Sequence, residues 1–173
     1  MLKMIIDGSA DMPAGWIEEY GLKILPMPIQ IGNRTYYQGV DINAEKFYRL
    51  LEDENNIPQS AAPSPSHIVQ FVKRVSEIGD TVLSISVSGK MSSTVNMMKY
   101  AANELKDRLN MLVFDSGAGS AVLAFMAREV RLREKAGASL EEIFDLLERI
   151  RDKVMVVLTV DNLEFAQRSG RVS

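Results

Sequence analysis

Short apolar runs alternate with helix-length segments along this chain, and that alternation constrains its fold more than any other feature. Four runs have the length and composition of strands that are buried on both faces. They cover Leu2–Ile6, Thr81–Val87, Met111–Phe114 and Val154–Val160. Parallel strands need long crossover connections, which the intervening helical segments supply. We therefore predict an α/β fold: a three-layer, mostly parallel sheet with helices on both faces.

Capping residues mark where several of the predicted helices begin. Ser and Thr side chains, like Asn and Asp, accept hydrogen bonds from the free N–H groups of a first helical turn. Ser139 is followed three residues later by Glu142, which is the pattern of a capping box. Asn43 and Ser66 are predicted to cap two earlier helices.

The segment before the helix capped by Asn43 has the features of a hairpin. Lys23–Ile31 contains two prolines and is predicted to be extended, but not as a central antiparallel strand. Gly32-Asn33 is a turn signal, after which Arg34–Tyr37 is predicted to return as the second arm. Two short helices are also predicted, over Ala14–Tyr20 before this segment and over Asp161–Gln167 near the end of the chain.

Composition excludes several classes of protein. The formal net charge is only −3 over 173 residues, whereas a nucleic-acid-binding protein carries a basic patch. No apolar run approaches the ~20 residues of a membrane span, so we expect a cytoplasmic protein. With no cysteine and a single histidine, thiolate and histidine metal sites are ruled out. His67, at the start of a predicted helix, is expected to be a surface residue.

Hydroxyl side chains follow the ends of the predicted strands. In open α/β sheets, ligands bind at the carboxyl ends of the strands. The hydroxyl-bearing residues there are Ser9, Ser60, Ser64, Ser66, Ser88, Ser92, Ser93, Thr94, Ser116 and Ser120. Such a site is suited to holding an oxyanion, above all where Ser92-Ser93-Thr94 opens a helix. An equally strong interpretation is that these residues are ordinary caps and turn formers.

Asp7 suggests a different function. Haloacid-dehalogenase-like phosphatases place a nucleophilic aspartate after a first hydrophobic strand, with a second aspartate two residues later. Here Ser9 occupies that second position. A carboxylate-bound magnesium would have only Asp7, Asp11 and Asp115 available. A magnesium-dependent phosphatase is therefore a weaker hypothesis than a structural role for Asp7 in its loop.

Several segments, taken in order, resemble the DegV family. Asp7-Gly8-Ser9-Ala10-Asp11-Met12-Pro13 is similar to that family's Asp-Ser-Ser-Ala-Asp-Leu-Pro start. Ser60-Ala61-Ala62-Pro63-Ser64-Pro65 resembles its Thr-Ser-Gln-Pro-Ser-Pro, and Met91-Ser92-Ser93-Thr94 its Leu-Ser-Gly-Thr. Asp115-Ser116 and the segment from Leu163-Glu164 to Gly170-Arg171-Val172-Ser173 match two further motifs. The resemblance covers the whole chain but only the first part of a family protein.

The resemblance implies a fatty-acid carrier without enzymatic activity, cofactor or metal. Family members bind a long-chain fatty acid and present its carboxylate to a fatty acid kinase subunit. Ser60, Ser92, Thr94 and the backbone of Ser93 would hold the carboxylate. Residues 1–160 would form the first domain and 161–173 the start of a connection to a second domain. Arg171, in that connection, is a hypothetical partner-docking residue.

Three departures from the family motifs bear on that prediction. Ala61 lacks the hydroxyl of the family's second residue, Ser93 replaces a glycine, and Gly8 replaces a serine. A ligand-free structural or interaction domain is therefore the second-ranked hypothesis.

Overall fold

The computed structural model describes residues 2–52, 57–157, 159 and 167 of the chain. The elements within these ranges are β1 (Lys3–Asp7), α1 (Trp16–Glu19), β2 (Leu22–Leu25), β3 (Pro28–Ile31), β4 (Arg34–Tyr37), α2 (Ala44–Leu51), β5 (Gln59–Ser60), α3 (Pro65–Val75), β6 (Thr81–Ser86), α4 (Thr94–Leu105), β7 (Asn110–Asp115), α5 (Ala121–Lys135) and α6 (Leu140–Lys153). None of the helices in this part of the chain combines the length and apolar composition of a membrane span.

The main sheet is parallel and has the strand order β2-β1-β6-β7. Its two central strands are almost entirely buried, as their predominantly apolar sequences predict. Met4 pairs with Leu22 on one side and with Leu83 on the other, which fixes the register of three strands. Since β1 lies in the middle, the loop that follows it reaches the centre of the carboxyl edge.

Helices cover both faces of this sheet, so the predicted three-layer α/β fold is confirmed. Side chains alternate between the faces along each strand. Met4 and Ile6 pack in a core with residues of α5 and α6. Ile5 points the other way, into a second core built with α3 and α4.

A second, three-stranded antiparallel sheet has the order β4-β3-β5. The predicted hairpin corresponds to β3 and β4, and its turn is Gly32-Asn33, with Gly32 at a positive φ of 57°. The third strand, β5, is only two residues long, and the sequence predicts no strand there. Ile31, Tyr36 and Ile42 form the core of this small sheet, with partly buried side chains of α2 packed against it.

Four sequence predictions need correction. The strand β3 is the central strand of an antiparallel sheet, although the two prolines argued against this, and Pro28 is tolerated because it is the first residue of the strand. The strand predicted over Val154–Val160 is wrong for residues 154–157, which form no strand, and Met155 and Val157 are largely exposed. The fourth strand of the main sheet is β2 instead. Ser64, not Ser66, caps α3, since Pro65 occupies the first helical position. The first helix is only one turn long because Gly15 adopts the left-handed conformation immediately before it. The helix predicted from residue 161 lies outside the described residues except for Gln167, as does the proposed connection to a second domain.

The predicted capping box at the start of α6 is present. The Ser139 hydroxyl accepts from the Glu142 N–H at 3.2 Å, and the Glu142 carboxylate accepts from the Ser139 N–H at 2.8 Å. We expect Ser139→Ala to lower the free energy of unfolding by about 1 kcal/mol, because the first turn loses an acceptor. Urea denaturation would measure this, with Ser139→Asn as the control that retains a capping oxygen. Equal losses in the two variants would show that the cap does not stabilise α6.

Candidate functional site

The carboxyl edge of the main sheet collects the first turns of three long helices. The helices α4 and α5 leave this edge directly after β6 and β7. The helix α3 ends before β6 begins, so its first turn lies at the same edge. Each helix start presents free N–H groups and a partial positive charge. The edge therefore favours an anion without needing a cationic side chain.

Ser92 and Thr94 form a fixed pair of hydroxyls at the start of α4. Their Oγ and Oγ1 atoms are 2.8 Å apart, and the Ser92 hydroxyl also accepts from the Thr94 N–H at 3.3 Å. Thr94 is fully buried, whereas Ser93 is exposed and its side chain caps nothing. The pair is thus held in place by the protein and stands next to the uncapped end of a 12-residue helix.

Ser60 belongs to the small sheet, not to the main one. It is exposed on β5 and pairs with Ile29 of β3. The neighbouring Ala61 N–H donates to the Pro28 carbonyl at 3.2 Å. Within the described ranges, no hydrogen bond joins Ser60 to Ser92 or Thr94. The four predicted site residues therefore fall into two groups carried by two sheets.

Most other hydroxyls at this edge serve local structure. Ser64 accepts from the His67 N–H, Ser88 from the Lys90 N–H, and Ser116 from the Ala118 N–H. Ser9 donates to Asp7 and Ser120 to Asp11. Capping and turn formation account for Ser9, Ser64, Ser88 and Ser116, whereas the Ser120 hydroxyl forms a long-range bond and does not cap α5. The Ser66 hydroxyl lies 3.1 Å from that of Ser64. Ser60 and the Ser92–Thr94 segment remain as the candidates for binding.

Asp7 is a structural carboxylate. It is fully buried, and its Oδ2 accepts from the Val87 N–H at 2.5 Å. Its Oδ1 accepts from the Ser9 N–H at 3.0 Å and from the Ser9 hydroxyl. Both oxygens are therefore engaged, and neither faces solvent as a nucleophile must. Among the described residues, no group of three or more acidic or histidine side chains is placed to hold a metal ion.

Asp115 joins the loops after β6 and β7. Its carboxylate accepts from the Gly89 N–H at 3.2 Å and from the Gly117 N–H at 3.0 Å. A Cβ atom at Gly89 would lie 2.9 Å from Asp115 Oδ2, so any larger residue would have to displace the Asp115 carboxylate. The contact fixes the base of the loop that carries Ser92.

His67 is not the exposed residue that its sequence position suggests. Its ring stacks on that of Tyr37, with centroids 4.8 Å apart and planes 2° from parallel. Its Nε2 is buried, and none of the described residues offers it a hydrogen-bond partner. Burial, followed by the nearby positive charge of Arg74, lowers the pKa of His67 below its usual 6.5. Nothing in the local sequence signals this contact, because Tyr37 lies thirty residues away.

Two concave surfaces have linings that include none of the predicted site residues at the carboxyl edge. One, of about 400 Å³, is at the end of α4 around Lys106 and Arg108. The other, of about 590 Å³, is beside α2 around Asp41 and Lys46. Both are open and mixed in polarity, whereas an acyl chain needs an apolar enclosure. The chemistry of the carboxyl edge is therefore a better guide to function than these two concavities.

The sequence model of the family described as "Uncharacterised protein, DegV family" matches residues 1–173. The chain belongs to the DegV family. A DegV domain-containing protein of Listeria innocua is 27% identical over 173 residues, which cover 99% of this chain and 61% of that protein. The chain thus spans about three fifths of the length of such DegV relatives.

Solved DegV structures share the fold. A DegV family protein from Thermus thermophilus, studied for its fatty acid binding, superposes with a TM-score of 0.86 at 28% identity, covering 99% of this chain and 60% of that one. DegV from Bacillus subtilis, a fatty acid binding protein, gives a TM-score of 0.84 at 23% identity, covering 99% and 61%. At 23% identity, the similarity to the Bacillus subtilis protein shows a shared fold and nothing more.

Proposed function

We propose that this chain binds a long-chain fatty acid and holds its carboxylate at the carboxyl edge of the main sheet. The observation that carries the proposal is the Ser92–Thr94 hydroxyl pair beside the uncapped start of α4. The fatty acid binding of the Thermus thermophilus relative supports the choice of ligand. Ser60 would supply a further hydroxyl from the small sheet, and the Ser93 N–H a backbone donor.

Neutral donors suit this task. A carboxylate accepts hydrogen bonds from hydroxyl and N–H groups, and such bonds are stronger than those between neutral partners. The first turn of α4 contains no charged side chain, so the anion would depend on these donors and on the helix dipole. Because Asp115 and Gly89 fix the base of the Ser92 loop, the donors would need little reorganisation on binding.

The acyl chain would supply most of the affinity. Burial of each methylene contributes ~0.8 kcal/mol, so about 15 methylenes contribute ~12 kcal/mol before the costs of association. Those costs are ~4–15 kcal/mol. The donors of Ser60, Ser92, Ser93 and Thr94, which we call the clamp, would then serve chiefly to place the carboxylate at a defined position. Net affinity would depend on how completely the chain is enclosed.

A carrier role follows from the same chemistry. The site offers donors that would hold an oxyanion, while Asp7 is buried and both its oxygens already accept hydrogen bonds from the protein. We propose a non-enzymatic, cytoplasmic carrier without cofactor that presents the carboxylate to a fatty acid kinase subunit. The kinase partner is proposed from the family resemblance and not from the geometry of the site.

The clamp is tested by removing two hydroxyls, one from each sheet. In the double variant Ser60→Ala/Ser92→Ala we expect about 100-fold weaker binding of oleate, since each lost bond to a carboxylate is worth roughly 1.5 kcal/mol. Isothermal titration would measure the affinity, after native mass spectrometry has identified any co-purified acid. Ser66→Ala is the matched control, because it removes a hydroxyl from the same edge outside the clamp. Unchanged binding in the double variant would exclude the proposed clamp.

A ligand-free interaction domain is the second candidate. It is favoured by the positions of the two concave surfaces, both away from the clamp, and by the substitutions Ala61 and Ser93. A protein that folds correctly, carries no lipid from lipid-rich cells and binds no added oleate would establish this alternative.

A further inference from the structure

Two consecutive residues at the end of the hairpin, Tyr37 and Gln38, contact the main body, and we call this contact the seam. The Tyr37 ring stacks on His67 of α3. The side chain of Gln38 lies against Gly8, where an added Cβ would be 2.8 Å from its Oε1. The Gln38 N–H also donates to the Met27 carbonyl at 3.0 Å.

This seam lies close to Ser60. Tyr37 pairs with Pro28 across the small sheet, and the Pro28 carbonyl accepts from the Ala61 N–H. Tyr37 on β4, Pro28 on β3 and Ala61, the residue after β5, therefore stand in one row, a span of roughly 10 Å. Ser60 is the residue next to the end of that row. The row thus provides a hydrogen-bonded path from Tyr37 to the segment that carries Ser60.

We propose that His67 is a positioning residue for the fatty-acid site: its neutral ring docks the Ser60-bearing sheet on α3, and its protonation loosens that docking. The proposal rests on the proposed function for its ligand, but the seam itself is a property of the protein without ligand. Protonation of His67 would weaken fatty-acid binding as the pH falls, so that a low pH would promote release.

The direction of the effect follows from the environment of the ring. Protonation would place a charge on a ring whose Nε2 is buried and has no acceptor among the described residues. Burial first, and the Arg74 charge second, lower the pKa of His67 in the docked state. An undocked ring would titrate near 6.5. Docking is therefore fully present above about pH 6.5 and is lost as the pH falls through the lowered value.

No neighbouring acid in the described residues is placed to offset this. On α3, the charged group that acts on the ring is Arg74. On the hairpin side, the Asp41 carboxylate accepts from the Tyr37 N–H at 2.5 Å and remains charged, but it is not among the groups that act on the His67 ring. The first turn of α4 carries no charge, and β2, which also contacts α3, has only Lys23.

Because His67 is the only histidine, its titration can be followed directly by NMR. We expect a pKa below 6.5 in the wild type and a value closer to 6.5 in Tyr37→Ala, where the stack is removed. His67→Phe keeps an aromatic ring and removes the titration. The ratio of oleate affinities, wild type to His67→Phe, should fall as the pH is lowered from 8 to 5.5, while protonation of oleate itself cancels in the ratio.

The outcomes separate this proposal from the proposed function. Oleate binding with a pH-independent ratio, or a His67 pKa at or above 6.5, would overturn the positioning role and leave the function standing. If neither protein binds oleate, the function fails, and hydrogen exchange of the β4 amides still tests the seam. The protection factors of these amides, corrected for intrinsic exchange rates, should then decrease when the pH is lowered below 6.5 in the wild type but not in His67→Phe. Equal protection in His67→Phe would overturn the proposal.

Discussion

Replacement of Arg131 by methionine is expected to lower the free energy of unfolding by about 3–5 kcal/mol, a large fraction of the stability of a domain of this size. The Arg131 side chain is only 3% exposed. Its Nε donates to the Tyr20 carbonyl at 2.8 Å and its Nη1 to the Leu2 carbonyl at 3.1 Å. Its guanidinium also pairs with Glu134, whose carboxylate accepts from the Leu2 N–H at 2.6 Å.

The loss is large because methionine leaves several groups without partners. Two buried carbonyls would lose their donors, and Glu134 would lose its counter-charge in a mostly buried position. Since Leu2 immediately precedes β1 and Tyr20 ends the turn after α1, the same side chain joins α5 to both segments. We therefore expect the amino-terminal strand to separate from α5 as the variant unfolds.

Arg128→Met is the matched control, since Arg128 lies one turn earlier on the same helix. Its side chain is 37% exposed and pairs with Glu129. Exposed pairs of this kind contribute ~0–1 kcal/mol. Urea denaturation followed by circular dichroism would compare the two variants. A loss at Arg131 no greater than that at Arg128 would show that the buried network does not stabilise the fold.

The sheet could be predicted from the sequence because its signals are local. The central strands consist mainly of apolar residues, with charged residues only at the ends of β1 and small hydroxyl residues within β6, so their burial on both faces follows from composition. The caps at Asn43 and Ser139 also follow from local patterns, and both are confirmed. By contrast, β2 is a four-residue edge strand, and its place beside β1 depends on the fold of the whole chain.

The candidate site is only partly predictable, because some of its contacts are local in the sequence and others join distant segments. Ser92 and Thr94 are neighbours in the sequence, and their hydroxyl contact lies within one turn. The Tyr37–His67 stack and the burial of Arg131 connect distant segments, and nothing in their immediate sequences distinguishes them. Arg131 stands in a helix that also contains Arg128 and Arg133, and only the packing of β1 decides which of the three is buried.

Asp7→Asn is expected to lower the free energy of unfolding by about 3 kcal/mol. The Asp7 carboxylate receives donors on both oxygens, from Val87 on one and from Ser9 on the other. An asparagine keeps one acceptor oxygen but must direct its own N–H₂ group toward one of these donors. The buried side chain cannot turn to solvent, so one donor is left unsatisfied and the bond to a charged acceptor is lost.

Asp11→Asn is the control for Asp7, because it alters the same loop at an exposed carboxylate. Asp11 accepts only from the Ser120 hydroxyl at 2.7 Å among the described residues, and an asparagine oxygen can keep that bond. We expect its effect on unfolding to stay below about 0.5 kcal/mol. The same two variants test the phosphatase hypothesis. Magnesium-dependent hydrolysis of p-nitrophenyl phosphate that disappears in Asp7→Asn but persists in Asp11→Asn, with both proteins folded, would make Asp7 a nucleophile. Absence of hydrolysis in the wild type, together with the large stability loss at Asp7 alone, would establish its structural role in holding the first loop against β6.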